Sequence, residues 1–268
     1  MTISLAHLTA VDLTPPELIH AAAKAGYDSV GVRLVQVTDT SPGYPLPQGS
    51  LELKQTLQAM KDTGVTVNDI EFFKITPDFN VNDIKPYLEM GQLLGAKQLI
   101  TAPYDDNLAR LKTNLAAIAE VAQQYQLETL IEFFPWTCLP DLPSSLDLIK
   151  GTQAKILLDV LHFDRSNSSL KDIENAPKDA IGMIHLCDAN VLASYTTEQL
   201  LHTAREDRCI PGKGEIDLLN ILNRIDPAVG IGIEVPSAPC GKLTKAQMEA
   251  WIAECYQGAK AVCAQRLS

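Results

Sequence analysis

A chain of 268 residues is long enough for one large domain with a filled core, and 46% hydrophobic with 21% charged residues is the composition of a folded globular protein. A net charge of −11 opposes a polyanion and makes nucleic acid a poor candidate partner, because nucleic-acid binders carry clustered Lys and Arg. No run approaches the roughly 18 apolar residues of a membrane span, and the six cysteines (Cys138, Cys187, Cys209, Cys240, Cys255, Cys263) form no CxxC pair, which predicts packed, reduced thiols and no membrane partner.

The N-terminal stretch MTISLAHLTAVDLTPPEL has no basic segment leading into a long apolar one, so a cytoplasmic protein is expected. Strand one is ISLAHL (3–8), and Thr14-Pro15-Pro16-Glu17 then opens a helix that Gly26 stops. Strand two, DSVGVRL (28–34), leads through the loop SPGYPLPQGS to a helix over 49–63 that ends at Gly64. Strand three is VTVNDIEFF (65–73) with a helix over 80–94, and strand four is AKQLITA (96–102). Leu108, Leu111, Leu115, Ile118, Ala119 and Ala122 then recur at helical spacing.

Strands five to eight are ETLIEFF, KILLDV, AIGMIHL and GIGIEV, with helical segments near 142–149, 168–174, 214–226 and 242–264. The stretch from Asp188 to Gly214 is long for a strand-to-helix loop, contains a predicted helix over 196–205, and is expected to be functional. Eight strand–helix units and no linker predict an α/β fold, a single (β/α)8 TIM barrel over 1–268.

Four of these runs stop on a potential metal ligand: Glu132, Asp159, His185 and Glu234. A buried parallel strand cannot hold such a residue without a partner, and a closed barrel brings the C-terminal ends of its strands onto one face. Three carboxylates and an imidazole form a hard, mostly oxygen-donating set suited to one divalent cation, with Mn, Mg, Co and Zn all compatible. Taken singly, each has a plainer reading: Glu132 emerging into solvent, Asp159 capping the next turn, His185 as a satisfied core histidine, Glu234 paired with an arginine. His162 follows Asp159 by three residues and can address the same cavity from one loop. His7, Arg33 and Glu71 end or nearly end their strands and are candidates to line the mouth, each equally readable as a local ion pair or cap. Trp136 and Phe163 are candidates for the apolar side of a ring-binding pocket.

In order, E-F-F-P-W, L-D-V-x-H-F, I-H-L-C-D, RCIPGKGEID (208–217) and G-I-E-V resemble the xylose isomerase-like TIM barrel superfamily, over nearly the whole chain and most firmly from 128 to 237. That superfamily holds sugar isomerases, ketose 3-epimerases, inosose dehydratases and 3-dehydroshikimate dehydratases. The resemblance implies that Glu132, Asp159, His185 and Glu234 bind one divalent metal and that His162 lies beside metal and substrate. It further implies that Glu132 and Glu234 exchange protons with the substrate and that Arg208 contacts substrate oxygens. Arg208 also reads as a surface arginine among Arg205, Glu206 and Asp207.

No Asp-x-His follows strand seven as it does in the superfamily's apurinic endonucleases, and Asp188-Ala189-Asn190 stands where the ketose 3-epimerases place an acid-rich motif and an early arginine. The expected function is metal-dependent isomerisation or epimerisation of a small sugar or polyol-derived carbonyl compound. In it, Glu132 or Glu234 removes a proton beside the carbonyl and His162 serves oxygen. A dehydratase of a cyclic hydroxy-ketone is the first alternative and a non-catalytic sugar-binding barrel the second. A small sugar-like molecule is the expected partner; the sequence leaves open whether the chain forms a homo-oligomer.

Overall fold

The structure, a computed structural model, describes residues 2–38, 41–237 and 243–266, so Cys240 lies outside the described residues. Eight parallel strands close into a barrel in sequence order. They are β1 (Ile3–Leu5), β2 (Ser29–Arg33), β3 (Thr66–Ile75), β4 (Gln98–Pro103), β5 (Glu128–Glu132), β6 (Lys155–Asp159), β7 (Ile181–Leu186) and β8 (Gly230–Ile233). The helices around them are α1 (Pro15–Ala25), α2 (Leu51–Thr63), α3 (Lys85–Leu93), α4 (Leu108–Gln124), α5 (Leu142–Ile149), α6 (Val160–Arg165), α7 (Leu170–Asn175), α8 (Thr197–Glu206), α9 (Leu218–Leu222) and α10 (Lys245–Cys263).

Local chemistry sets the helix ends. Thr14 and Glu17 form a reciprocal capping box at α1, with Pro15 and Pro16 in its first turn, and Gly26 closes it at φ +98°, a conformation that disfavours a side chain. Of the α4 stripe predicted from spacing, Leu111, Leu115, Ile118, Ala119 and Ala122 form the buried face, whereas Leu108 at the start of the helix is exposed. A second apolar cluster fills the barrel's interior: Ile100, Leu130, Leu157 and Met183, with Phe72 against it. No helix among the described residues is long and apolar enough to cross a membrane.

Several boundaries depart from the sequence expectation. Strand one stops at Leu5, and His7–Ala10 turns as a short 3-10 helix. Thr9 explains the early stop: its hydroxyl donates to the Ile233 carbonyl (2.9 Å) and accepts from the Val235 amide (2.9 Å), occupying the place of a further strand pair. The DVLH stretch is not a loop but α6, with Asp159 as its cap, accepting from the amides of Leu161 (2.7 Å) and His162 (3.4 Å). The helix expected over 214–226 is only Leu218–Leu222. The long segment after β7 is tied down by Asp188, whose carboxylate accepts from the amides of Ala189 (2.9 Å), Gly212 (3.0 Å) and Ile216 (3.0 Å). Bridges Asp188–Cys209 and Asp207–Ser237 clamp the residues on either side of Arg208. A surface loop by sequence becomes a rigid mount for one guanidinium.

Candidate functional site

The barrel register assembles the site. Asp159 on β6 pairs with His185 on β7, His185 pairs with Gly232 on β8, and Glu234 follows the end of β8 with its amide on the Leu186 carbonyl (3.2 Å). Side chains alternate in and out along a strand, so Glu132, Asp159, His185 and Glu234 all point into the barrel mouth. One donor atom from each lies within 4.8 Å of the others, and all four residues are buried.

Arg208 joins them, donating to Asp159 Oδ2 (2.6 Å) and Glu234 Oε2 (2.8 Å), while its Nε donates to the Ala204 carbonyl (3.1 Å). It is buried, which settles the two sequence readings of this residue against a surface arginine. His185 Nδ1 stands 3.5 Å from Glu234 Oε1, and neither ring nitrogen makes a hydrogen bond. His162 Nε2 is 3.6 Å from Glu132 Oε1, and its Nδ1 has no hydrogen-bond partner.

Burial acts against charge throughout this cluster, and neighbours decide the outcome. Burial, reinforced by the Glu234 charge, pushes the Glu132 carboxyl well above its usual range. Burial works the same way on Glu234, but His185 and Arg208 outweigh it and hold that carboxyl far below the usual range. Burial opposes protonation of His185, yet the charges of Glu234, Glu132 and Asp159 raise it to about 10. His162 is pushed down to about 4 by burial and stays neutral.

The donor set fits a divalent cation. Bonds of about 2.0–2.2 Å put donors on opposite sides of an ion about 4.4 Å apart, so a spread of 4.8 Å closes with a shift of a few tenths of an ångström. Arg208 contacts only two of the three carboxylates, leaving both His185 ring nitrogens without a hydrogen bond and Glu132 with only the neutral His162 beside it.

Above the cluster lies a cavity of roughly 300 Å³. Glu132, His162, Arg208 and Glu234 line it together with the aromatic residues Phe72, Tyr104, Phe134 and Trp136, and the Arg33 guanidinium lies over the Phe72 ring, 5.5 Å from its centroid. Phe134 and Trp136 stack 5.1 Å apart, and the His162 ring stands edge-on to both. Tyr104 and Phe72 were not singled out from the sequence, although Tyr104 directly follows β4, where the strand-end argument applies equally. Phe163 is not among these aromatic residues. It packs into the core between barrel and helices, because α6 turns its side away from the cavity.

Among the other strand-end candidates, Glu71 does not line the cavity; it faces Arg33 Nη2 at 3.3 Å, and burial pushes its carboxyl up to about 7. His7 also lies off the cavity. The Arg33 amide donates to its Nδ1 (2.9 Å), which leaves Nε2–H to donate to the Leu13 carbonyl (2.9 Å), and the ring stacks on Tyr44. Burial, with help from the Arg33 charge, lowers its pKa from 6.5 to about 4.

Protonating His7 would set a new N–H against the Arg33 amide. Between pH 6.5 and 4 the unfolded chain therefore binds a proton at this position that the folded chain refuses, and stability rises with pH across that window. Its contribution, about 3 kcal/mol, is fully present above pH 6.5 and lost by pH 4. His7→Gln is expected to flatten the pH dependence of the urea-unfolding free energy in this range; an unchanged slope would refute the assignment. His162 adds a separate contribution of the same sign, which the substitution leaves in place.

Residues 19–255 match the family described as xylose isomerase-like TIM barrel. An inosose isomerase of Halalkalibacterium halodurans is 23% identical over 218 residues, covering 75% of this chain and 74% of that protein. The crystal structure of the IolI protein with a bound zinc atom superposes with a TM-score of 0.82 at 18% identity over 100% of both chains. A D-psicose 3-epimerase structure in the presence of D-fructose gives a TM-score of 0.73 at 16% identity over 98% of this chain and 99% of that one. At these identities the two solved structures speak to the fold alone.

Proposed function

We infer that this chain, which belongs to the xylose isomerase-like TIM barrel family, is a divalent-metal-dependent isomerase or epimerase of a small sugar or polyol-derived carbonyl compound. The observation that carries the reading is the convergence of Glu132, Asp159, His185 and Glu234 within 4.8 Å, with Glu132 and Glu234 lining a cavity sized for a small molecule. The inosose isomerase relative supports the same class of substrate.

Glu132, Asp159, His185 and Glu234 would hold the cation, and Mn, Mg, Co and Zn all suit three carboxylates and an imidazole. Such a cation supplies Lewis acidity toward a carbonyl and a neighbouring hydroxyl. Glu132 and Glu234 line the cavity and move the proton at the carbon beside the carbonyl. His162, neutral and with an unpartnered Nδ1, serves a hydroxyl oxygen as donor or acceptor. Arg208 holds the Asp159 and Glu234 carboxylates in register and faces substrate oxygens in the cavity. Trp136 and Phe134 cover an apolar C–H face and exclude water.

The test is isotope exchange in D2O with manganese- or zinc-loaded protein and a panel of inososes, ketoses and aldoses. Deuterium at the carbon next to the carbonyl supports the reading. Growth of a conjugated ultraviolet absorbance would assign dehydration instead. No exchange with any member of the panel, metal being bound, would leave the barrel a non-catalytic sugar binder.

A further inference from the structure

Beneath the four proposed ligands the barrel interior carries polar groups that the chemistry above does not use. Val30 pairs with Val67 and Gly31 with Asp69, so Asn68 is an extra residue in β3, a bulge that turns Asp69 into the interior. The Asp69 carboxylate is fully buried. Its Oδ2 accepts from Asn68 Nδ2 (3.2 Å), whereas Oδ1 has no hydrogen-bond partner. Gly31 makes the room, since a Cβ there would meet Oδ1 at 2.5 Å.

His185 uses a second gap of the same kind. Its ring lies against Gly232, where a Cβ would meet Cδ2 at 2.9 Å and Nε2 at 3.2 Å. Ser4, which pairs with Gly232 on the other side, has a buried hydroxyl with no partner. Asp69 Oδ1, His185 Nε2 and Ser4 Oγ are thus three buried, unpartnered polar atoms around a side of the barrel where two strands present glycine. Buried polar groups left without a partner are costly, and groups of this kind in folded proteins are met by internal water with two to four polar neighbours. Burial pushes the Asp69 carboxyl up to about 6, and His185 is the neighbouring charge that opposes this most strongly, which places the two groups in electrostatic reach.

We propose that Asp69 is a positioning residue for His185: a buried water shared with Ser4 accepts from His185 Nε2–H and donates to Asp69 Oδ1, which keeps the ring proton on Nε2 and leaves the Nδ1 lone pair turned toward Glu234 and the cation. The hydrogen bond fixes the tautomer and the ring plane, and it raises the basicity of the ligating nitrogen. The proposal rests on the reading of Glu132, Asp159, His185 and Glu234 as a cation site.

Calorimetric titration with Zn(II) tests it on the full chain. Asp69→Ala is expected to bind about 10–100-fold more weakly than wild type, and Asp69→Asn, which keeps an acceptor oxygen, to fall between the two. Long-range proton–nitrogen NMR of the zinc-loaded wild type, with His185 assigned by its loss in His185→Gln, is expected to show the proton on Nε2. A folded Asp69→Ala that binds within twofold of wild type, or a His185 proton on Nδ1, overturns the proposal while leaving the metal centre intact. Wild-type protein that binds no Zn(II) or Mn(II) removes the metal centre and this role with it. If Asp69→Ala does not fold, Ser4→Ala, which removes the other anchor of the shared water, decides: Zn(II) affinity within twofold of wild type overturns the proposal.

Discussion

Arg208→Met is expected to destabilise the metal-free protein by about 3–5 kcal/mol, the range for stripping one partner from a buried ion pair. The substitution keeps the unbranched stem but removes the donors to Asp159 Oδ2 (2.6 Å) and Glu234 Oε2 (2.8 Å). Three buried carboxylates then face only His185 and the neutral His162. Protonation of one acid limits the damage, which is why the loss should stay in single kilocalories and not approach the full desolvation of an ion. For a chain of 268 residues the corresponding drop in Tm is roughly 6–10 °C.

Adding a divalent cation should restore most of that loss, because a bound ion neutralises the same carboxylates and stabilises by mass action. Differential scanning calorimetry with and without Mn(II) measures both. A variant whose metal-free Tm stays within a degree of wild type would show that the guanidinium contributes little to holding the acids together.

The part of this molecule that was legible in its sequence is the part where a residue contradicts its own surroundings. Glu132, Asp159, His185 and Glu234 each end an apolar run that ought to be buried, and only a shared partner removes that contradiction. Tertiary partners decided the places that were misread. Val160 reads as the last strand residue and the rest of DVLH as loop, but Asp159 accepts two backbone amides and starts a helix there. ISLAHL reads as six strand residues, but the Thr9 hydroxyl takes over the edge of β8 after three. Arg208 was placed at the site by the resemblance and not by its surroundings: it is one charge among several in REDR, and nothing local shows the bridges at Asp207 and Cys209 that turn it inward. Asp69 was invisible for a different reason: in VTVNDIEFF simple alternation assigns it a face, and a one-residue bulge in β3, set by pairing with β2, changes that face.

Glu132→Gln is expected to lower the rate of proton exchange at the substrate carbon by about 10³-fold or more, roughly 4 kcal/mol of barrier, the upper part of the range for a positioned acid–base group. Two effects feed this loss, since Gln can neither take the proton nor donate a charged oxygen to the cation, and they separate by titration. Raising metal concentration until the variant is saturated recovers the share due to weaker binding and leaves the share due to the missing base. His162→Gln gives the internal comparison. Its Nε2 lies 3.6 Å from Glu132 Oε1, close enough to influence that carboxyl without replacing it, and the expected loss is about 10–100-fold with metal affinity little changed. Single-turnover exchange in D2O at saturating metal reads both variants on one scale. Should metal-saturated Glu132→Gln exchange as fast as wild type, the proton is carried by another group and Glu234, which also lines the cavity, becomes the residue to replace next.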